Sequence, residues 1–102
     1  MYTSGSTGPP KGVTLTHKNV IAAVAGVDNA IASDGSGKLK VNRNDRFLCF
    51  LPLAHILEFV YELCAIHWGG TIGYGNPRTV TDESVRNCRG DIQEFKPTIL
   101  VA

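Results

Sequence analysis

The chain predicts an α/β fold built on a parallel sheet, and three observations carry that prediction. From Arg46 to Leu51 the sequence reads Arg-Phe-Leu-Cys-Phe-Leu, apolar after its first residue and without alternation. Such a run suits a strand covered on both faces. Val20, Val24, Val27 and Ile31 recur at steps of four, three and four, which is one face of a helix. Strand-like and helix-like segments then alternate down the chain, as crossover connections between parallel strands require.

The first thirteen residues are a loop of unusual composition. Thr3, Ser4, Ser6 and Thr7 supply hydroxyls, Gly5, Gly8 and Gly12 supply bare backbone, and Lys11 supplies one cation. Glycine lets backbone N–H groups approach a ligand closely, and lysine is a mobile point charge suited to phosphate. The order Gly5-x-x-Gly8-x-x-Lys11-Gly12 matches neither a Walker A loop nor a Rossmann fingerprint. Pro9 and Pro10 stiffen the approach to Lys11 and keep Gly8 and Pro9 out of helix. Residue types alone leave two readings open here, a phosphate-binding loop and a solvated linker.

Val13 to Leu15 reads as a short extended connector. Thr16 is a helix cap, and the helix it starts runs from about His17 to Ile31. Asp34 to Asn44 is a polar, glycine-containing loop. Its Lys38, Lys40 and Arg43 lack the apolar anchors a membrane site needs. After the buried strand, Leu53-Ala54-His55 turns the chain into a helix over Ile56–Trp68, stopped by Gly69-Gly70. Leu57, Val60, Tyr61 and Cys64 share one face of it. Thr71–Tyr74 is the next strand and Gly75–Arg78 a turn. Thr81 is placed as the cap of a helix ending near Arg89-Gly90, with Asp82 and Glu83 at its electropositive end. Asp91–Phe95 is a short helix, and Thr98–Ala102 a last strand. No repeat or internal boundary is visible, so residues 1–102 read as one unit.

Composition excludes several classes. The chain has 102 residues, 43% hydrophobic, with a net charge of +1. That balance gives no basic stripe for nucleic acid. No apolar run is long enough to span a bilayer. Cys49, Cys64 and Cys88 show no C-x-x-C spacing and are odd in number, so neither a disulfide framework nor a zinc motif follows. They read as buried free thiols.

Tyr2-Thr-Ser-Gly-Ser-Thr-Gly-Pro-Pro-Lys-Gly-Val13 resembles the phosphate-binding signature of the AMP-forming adenylating enzymes. Leu51-Pro-Leu-Ala-His-Ile-Leu-Glu58 resembles the matching segment of eukaryotic long-chain fatty acyl-CoA synthetases. Ser84–Cys88 and Gly90–Thr98 are similar to the fungal members of that subfamily. The likeness covers nearly the whole chain apart from residues 34–44. It implies a partial parallel-sheet subdomain of the large N-terminal adenylation domain, an internal piece of a longer ligase. It implies ATP, Mg²⁺ and CoA, a long-chain fatty acid as substrate, and an intracellular parent at the endoplasmic reticulum, a lipid droplet or a peroxisomal membrane. On this resemblance Thr3, Ser4, Gly5, Ser6, Thr7, Gly8 and Lys11 hold the β- and γ-phosphates, with Lys11 also catalytic. His55 falls at the mouth of the acyl pocket, near the reacting carboxylate. A carboxylate nucleophile has no proton to lose, so positioning rather than base catalysis suits His55. Glu58, one turn on, either orients it or is an ordinary polar helix position, and Trp68 and Tyr74 either line the acyl channel or belong to the core. The adenine, ribose, hinge and catalytic-lysine segments of relatives have no match here, so the segment alone is expected to be poorly stable and inactive. Two other readings stay open: a ligase for short-chain, aryl or amino acids, and a nucleotide-binding module without chemistry.

Overall fold

The computed structural model describes residues 1–3, 5, 7–32 and 40–102. Two of the loop positions given above to phosphate, Ser4 and Ser6, fall outside them, as do residues 33–39 of the polar loop.

The element order is α1 (His17–Ala32), β1 (Arg46–Cys49), α2 (Ile56–Trp68), β2 (Thr71–Tyr74), a 3-10 turn over Asp82–Ser84, and α3 (Asp91–Phe95). Strands β1 and β2 pair in parallel, with Arg46 opposite Thr71 and Cys49 opposite Tyr74. Helix α2 is the crossover between them, so the central unit is one βαβ motif.

Each helix end has a local cause. Thr16 Oγ1 accepts from Asn19 N (3.1 Å), and Asn19 Oδ1 accepts from Thr16 N (3.0 Å). This reciprocal pair satisfies two donors at the start of α1. Helix α2 stops at Gly69, whose φ of 72° is left-handed and whose N–H reaches the carbonyls of Ala65 and Ile66. A side chain at that angle would be strained, which is why glycine stands there.

The core sits between β1 and α2. Phe47 is fully buried, with Cys49, Tyr61 and Ala65 around it and Trp68, Ile72 and Ile99 packed against the cluster. The Trp68 ring stacks on Phe47 at 6.0 Å, and the Tyr61 ring meets it edge-on at 5.6 Å. Trp68 also ties α2 to α1, because its indole N–H donates to Asp28 Oδ1 at 2.6 Å. It is therefore part of the core packing. On the other sheet face, Arg46 lies 4.5 Å from the centre of the Phe95 ring, holding α3 through a cation–π contact.

Three sequence expectations change. The helix expected from Thr81 to Gly90 is a single 3-10 turn. The Asp82 carboxylate accepts from Gly90 N and from the Gln93 amide, drawing the two ends of the segment together. Ser84 donates its hydroxyl to the Thr81 carbonyl, and Asn87 takes a positive φ of 63°. Local side-chain bonds thus outcompete the helix. The last strand shrinks to one parallel bridge, Phe47 to Ile99. Cys88 is exposed, unlike the buried Cys49 and Cys64. On α2 the buried set is Glu58, Tyr61, Cys64 and Ala65, while Leu57 is 45% exposed.

No helix among the described residues is long and apolar enough to cross a membrane.

Candidate functional site

The N-terminal loop closes on itself as a hairpin. Tyr2 and Gly12 form an antiparallel bridge. Thr3 N donates to the Lys11 carbonyl (2.9 Å), Val13 N to the Met1 carbonyl (2.6 Å), and the Met1 amino group to the Val13 carbonyl (2.8 Å). Lys11 N donates to Thr3 Oγ1 at 3.1 Å. The neck is thus fixed at the point where the lysine leaves it. Gly8 turns the tip with a φ of 98°, a conformation glycine alone adopts without strain.

Every described residue of this loop from Tyr2 to Val13 is exposed. No carboxylate pairs with the Lys11 ammonium among the described residues. Thr3 Oγ1 accepts the Lys11 N–H, and a hydroxyl used as acceptor still has its own proton to give. The loop therefore presents backbone donors at Gly5 and Gly8, hydroxyl donors at Thr3 and Thr7, and one cation.

His55 lies beyond the carboxyl end of β1, the edge where open parallel sheets bind ligands. It is the N-cap of α2, and its Nδ1 accepts the Leu57 N–H at 3.1 Å. Using Nδ1 as an acceptor puts the proton of the neutral ring on Nε2. The ring is exposed, so the helix itself sets a donor facing outward. No hydrogen bond or ion pair joins His55 to the loop among the described residues.

Glu58 does not orient His55, because the Leu57 backbone does. Glu58 turns inward instead and is 1% exposed. Burial pushes its carboxyl up from the usual range, interaction with the Cys49 thiol pulls it back, and the Glu62 charge raises it again. The Cys49 thiol is pushed up to about 12, first by burial and then by Glu58 and Glu62. Tyr74 is 73% exposed and donates its hydroxyl to Glu62 Oε2 at 3.0 Å, so it belongs neither to the core nor to the lining of the apolar cavity. Sequence reading missed this acidic group. Its signal was two glutamates four apart in an otherwise apolar helix, a spacing that stacks them on one face.

An apolar cavity of about 180 Å³ runs between α1 and α2, lined among others by Val27, Ile31, Leu57, Val60 and Trp68. The face of α2 read from the sequence as its apolar side looks into this space.

The family profile described as AMP-binding enzyme matches residues 1–102. Long-chain-fatty-acid–CoA ligase 1 of Saccharomyces cerevisiae is 55% identical over 99% of this chain, which covers 14% of that relative. Long-chain-fatty-acid–CoA ligase 2 of Schizosaccharomyces pombe is 52% identical with the same coverage, and a palmitoyl-CoA ligase of Gibberella moniliformis is 50% identical. The chain thus spans about one seventh of the length of these curated relatives. Among solved structures, O-succinylbenzoate coenzyme A synthetase from Bacillus subtilis, in complex with AMP, superposes over the whole chain. The TM-score is 0.68 at 29% identity, and the match covers 23% of that structure.

Proposed function

Because the chain belongs to the AMP-binding enzyme family, we propose that it is part of a long-chain fatty acid–CoA ligase and supplies its phosphate loop. In this reading a fatty carboxylate oxygen attacks the α-phosphorus of ATP, and pyrophosphate leaves with the electron pair of the broken P–O bond. The thiolate of CoA then takes the acyl group from the acyl-adenylate, releasing AMP.

Pyrophosphate leaves readily only if the charge it gains is neutralised. Fixed donors placed where that charge appears do so without reorganising at the moment of reaction. The hairpin neck supports this role, since it fixes the backbone of Lys11 against Thr3 and leaves the ammonium mobile. Gly5, Thr7 and Gly8 at the tip, with Ser4 and Ser6 as the remaining positions of the motif, complete the donor set. A loop hydroxyl such as that of Thr7 would offer Mg²⁺ one oxygen contact beside the phosphates, since the loop has no carboxylate to hold the ion. There it would neutralise phosphate charge alongside Lys11.

His55 has a positioning role. Its outward Nε2–H is a donor for a carboxylate or acyl-phosphate oxygen at the sheet edge. Helix α2 behind it is the wall of the acyl site, and the apolar cavity beside that helix supports a path from which water is excluded.

The observation that carries the proposal is the clasped hairpin with Lys11 at its neck. The test is Lys11→Ala in the full-length protein, read by ATP–pyrophosphate exchange with a panel of acids. Long-chain acids should drive exchange in the parent protein, and the variant should lose about 10²- to 10³-fold. Unchanged exchange in the variant removes the role given to Lys11. Exchange driven only by short-chain, aryl or amino acids replaces the substrate class while leaving the loop in place.

A further inference from the structure

Helix α2 carries two carboxylates on the face turned toward β1, one helical turn apart. Glu58 is 1% exposed, and its Oε1 has no hydrogen-bond partner. Glu62 is half-buried, and Cys49 projects from β1 against both. One ligand atom from each of the three residues, the Cys49 sulfur and a carboxylate oxygen of each glutamate, lies within 4.8 Å of the other two. The only ion pair among the described residues, His67 with Asp28 at 3.7 Å, is elsewhere. Among the described residues, therefore, no lysine or arginine offsets the acidic pair.

Two like charges this close repel, and removing one from water is costly unless it is paired. A proton relieves the charge but leaves Oε1 unsatisfied. A cation relieves both. We propose that Cys49, Glu58 and Glu62 form a binding site for a borderline divalent cation of the zinc type, with water as its fourth ligand.

The donor set selects the metal. Magnesium and calcium take oxygen ligands and do not favour sulfur, whereas zinc accepts one thiolate with two carboxylates. Around a tetrahedral zinc with bonds of about 2.0–2.3 Å, neighbouring ligand atoms sit roughly 3.5 Å apart. Rotamer shifts of the glutamates can close the remaining distance. Binding breaks one S–H and one carboxyl O–H bond, forms the metal–sulfur and metal–oxygen bonds, and releases two protons without any redox change. The Tyr74 hydroxyl on Glu62 Oε2 holds that carboxylate in place from outside, a common arrangement around metal ligands. The site uses none of the loop residues, so it stands apart from the adenylation reading.

The experiment uses full-length protein stripped with a chelator and titrated with Co²⁺, followed by Zn²⁺ in competition. A thiolate-to-cobalt charge-transfer band should appear and be displaced by a single equivalent of Zn²⁺. Cys49→Ser should abolish the band, and Glu62→Gln should weaken Zn²⁺ binding about tenfold or more. Glu62→Gln is close to isosteric and its position is half-exposed, so it decides the matter even if Cys49→Ser fails to fold. No band in the parent protein, or Zn²⁺ affinity unchanged in Glu62→Gln, overturns the proposal.

Discussion

Residues 1–13 are held by hydrogen bonds across a hairpin neck, with every described side chain from Tyr2 onward in solvent. Residues 46–74 are held by the reverse means. Phe47, Leu48 and Cys49 are almost wholly buried, and the aromatic rings of Tyr61 and Trp68 close over Phe47. The first region keeps its polar groups available. The second uses burial to fix a sheet edge and the helix that caps it. Stability and chemistry are thus assigned to different residues, and substitutions should separate the two.

The largest effect on stability should come from Phe47→Ala. It removes a fully buried ring that touches both Tyr61 and Trp68, a loss of about 3–5 kcal/mol. Soluble yield and thermal midpoint of the full-length protein would report it. The Lys11→Ala exchange described above is its counterpart. It should leave the thermal midpoint within the small range of exposed substitutions, about 0.5 kcal/mol, while activity falls. If Lys11→Ala unfolds the protein, the division between the two regions fails.

The core was legible in the sequence where one physical signal dominated. A short unalternating apolar run suits a covered strand, and β1 took up the first part of that run, Arg46–Cys49. Thr16 and Gly69 were legible because their caps depend on residues nearby in the chain. The segment from Thr81 to Gly90 was not, because its shape is set by Asp82 reaching to Gly90 and Gln93. A carboxylate near a helix start reads the same whether it serves the helix or a partner eight residues on. Glu58 failed for a related reason. Its position one turn after His55 allowed a partner along the helix or a plain polar site, whereas its actual neighbour, Cys49, comes from strand β1. The loop motif was legible as composition, and the hairpin that clasps it was not, because Thr3 and Lys11 are eight residues apart.

His55 sits on the boundary between the two regions, since it both caps α2 and faces solvent. His55→Asn sharpens the comparison there. Asparagine is a strong N-cap and keeps an acceptor for the Leu57 N–H, but it lacks the outward Nε2–H. The thermal midpoint should hold while acyl-adenylate formation drops by up to about a hundredfold, the cost of a misplaced reactant. A fall in stability with unchanged activity per folded molecule would make His55 a cap alone.

The smallest effect belongs to Tyr61→Phe, which tests whether polar bonds inside the packed region matter once the rings are in place. The Tyr61 hydroxyl donates to the Ile99 carbonyl at 2.9 Å and ties the last segment to α2. Removing it keeps the ring against Phe47 and should cost about 1–2 kcal/mol, because a part-buried carbonyl loses its donor. Burial pushes the phenol pKa upward, with the Cys49 and Glu58 charges adding to the shift. Above about pH 10 an unfolded tyrosine releases its proton while the native one retains it. The unfolded state then binds fewer protons, so native stability declines as pH rises through that window. Thermal unfolding followed from pH 8 to 11 should show that decline in the parent protein and less of it in Tyr61→Phe. Equal alkaline slopes would mean that Tyr61 contributes only its ring, and that residue 99 is held by apolar contact with Phe47.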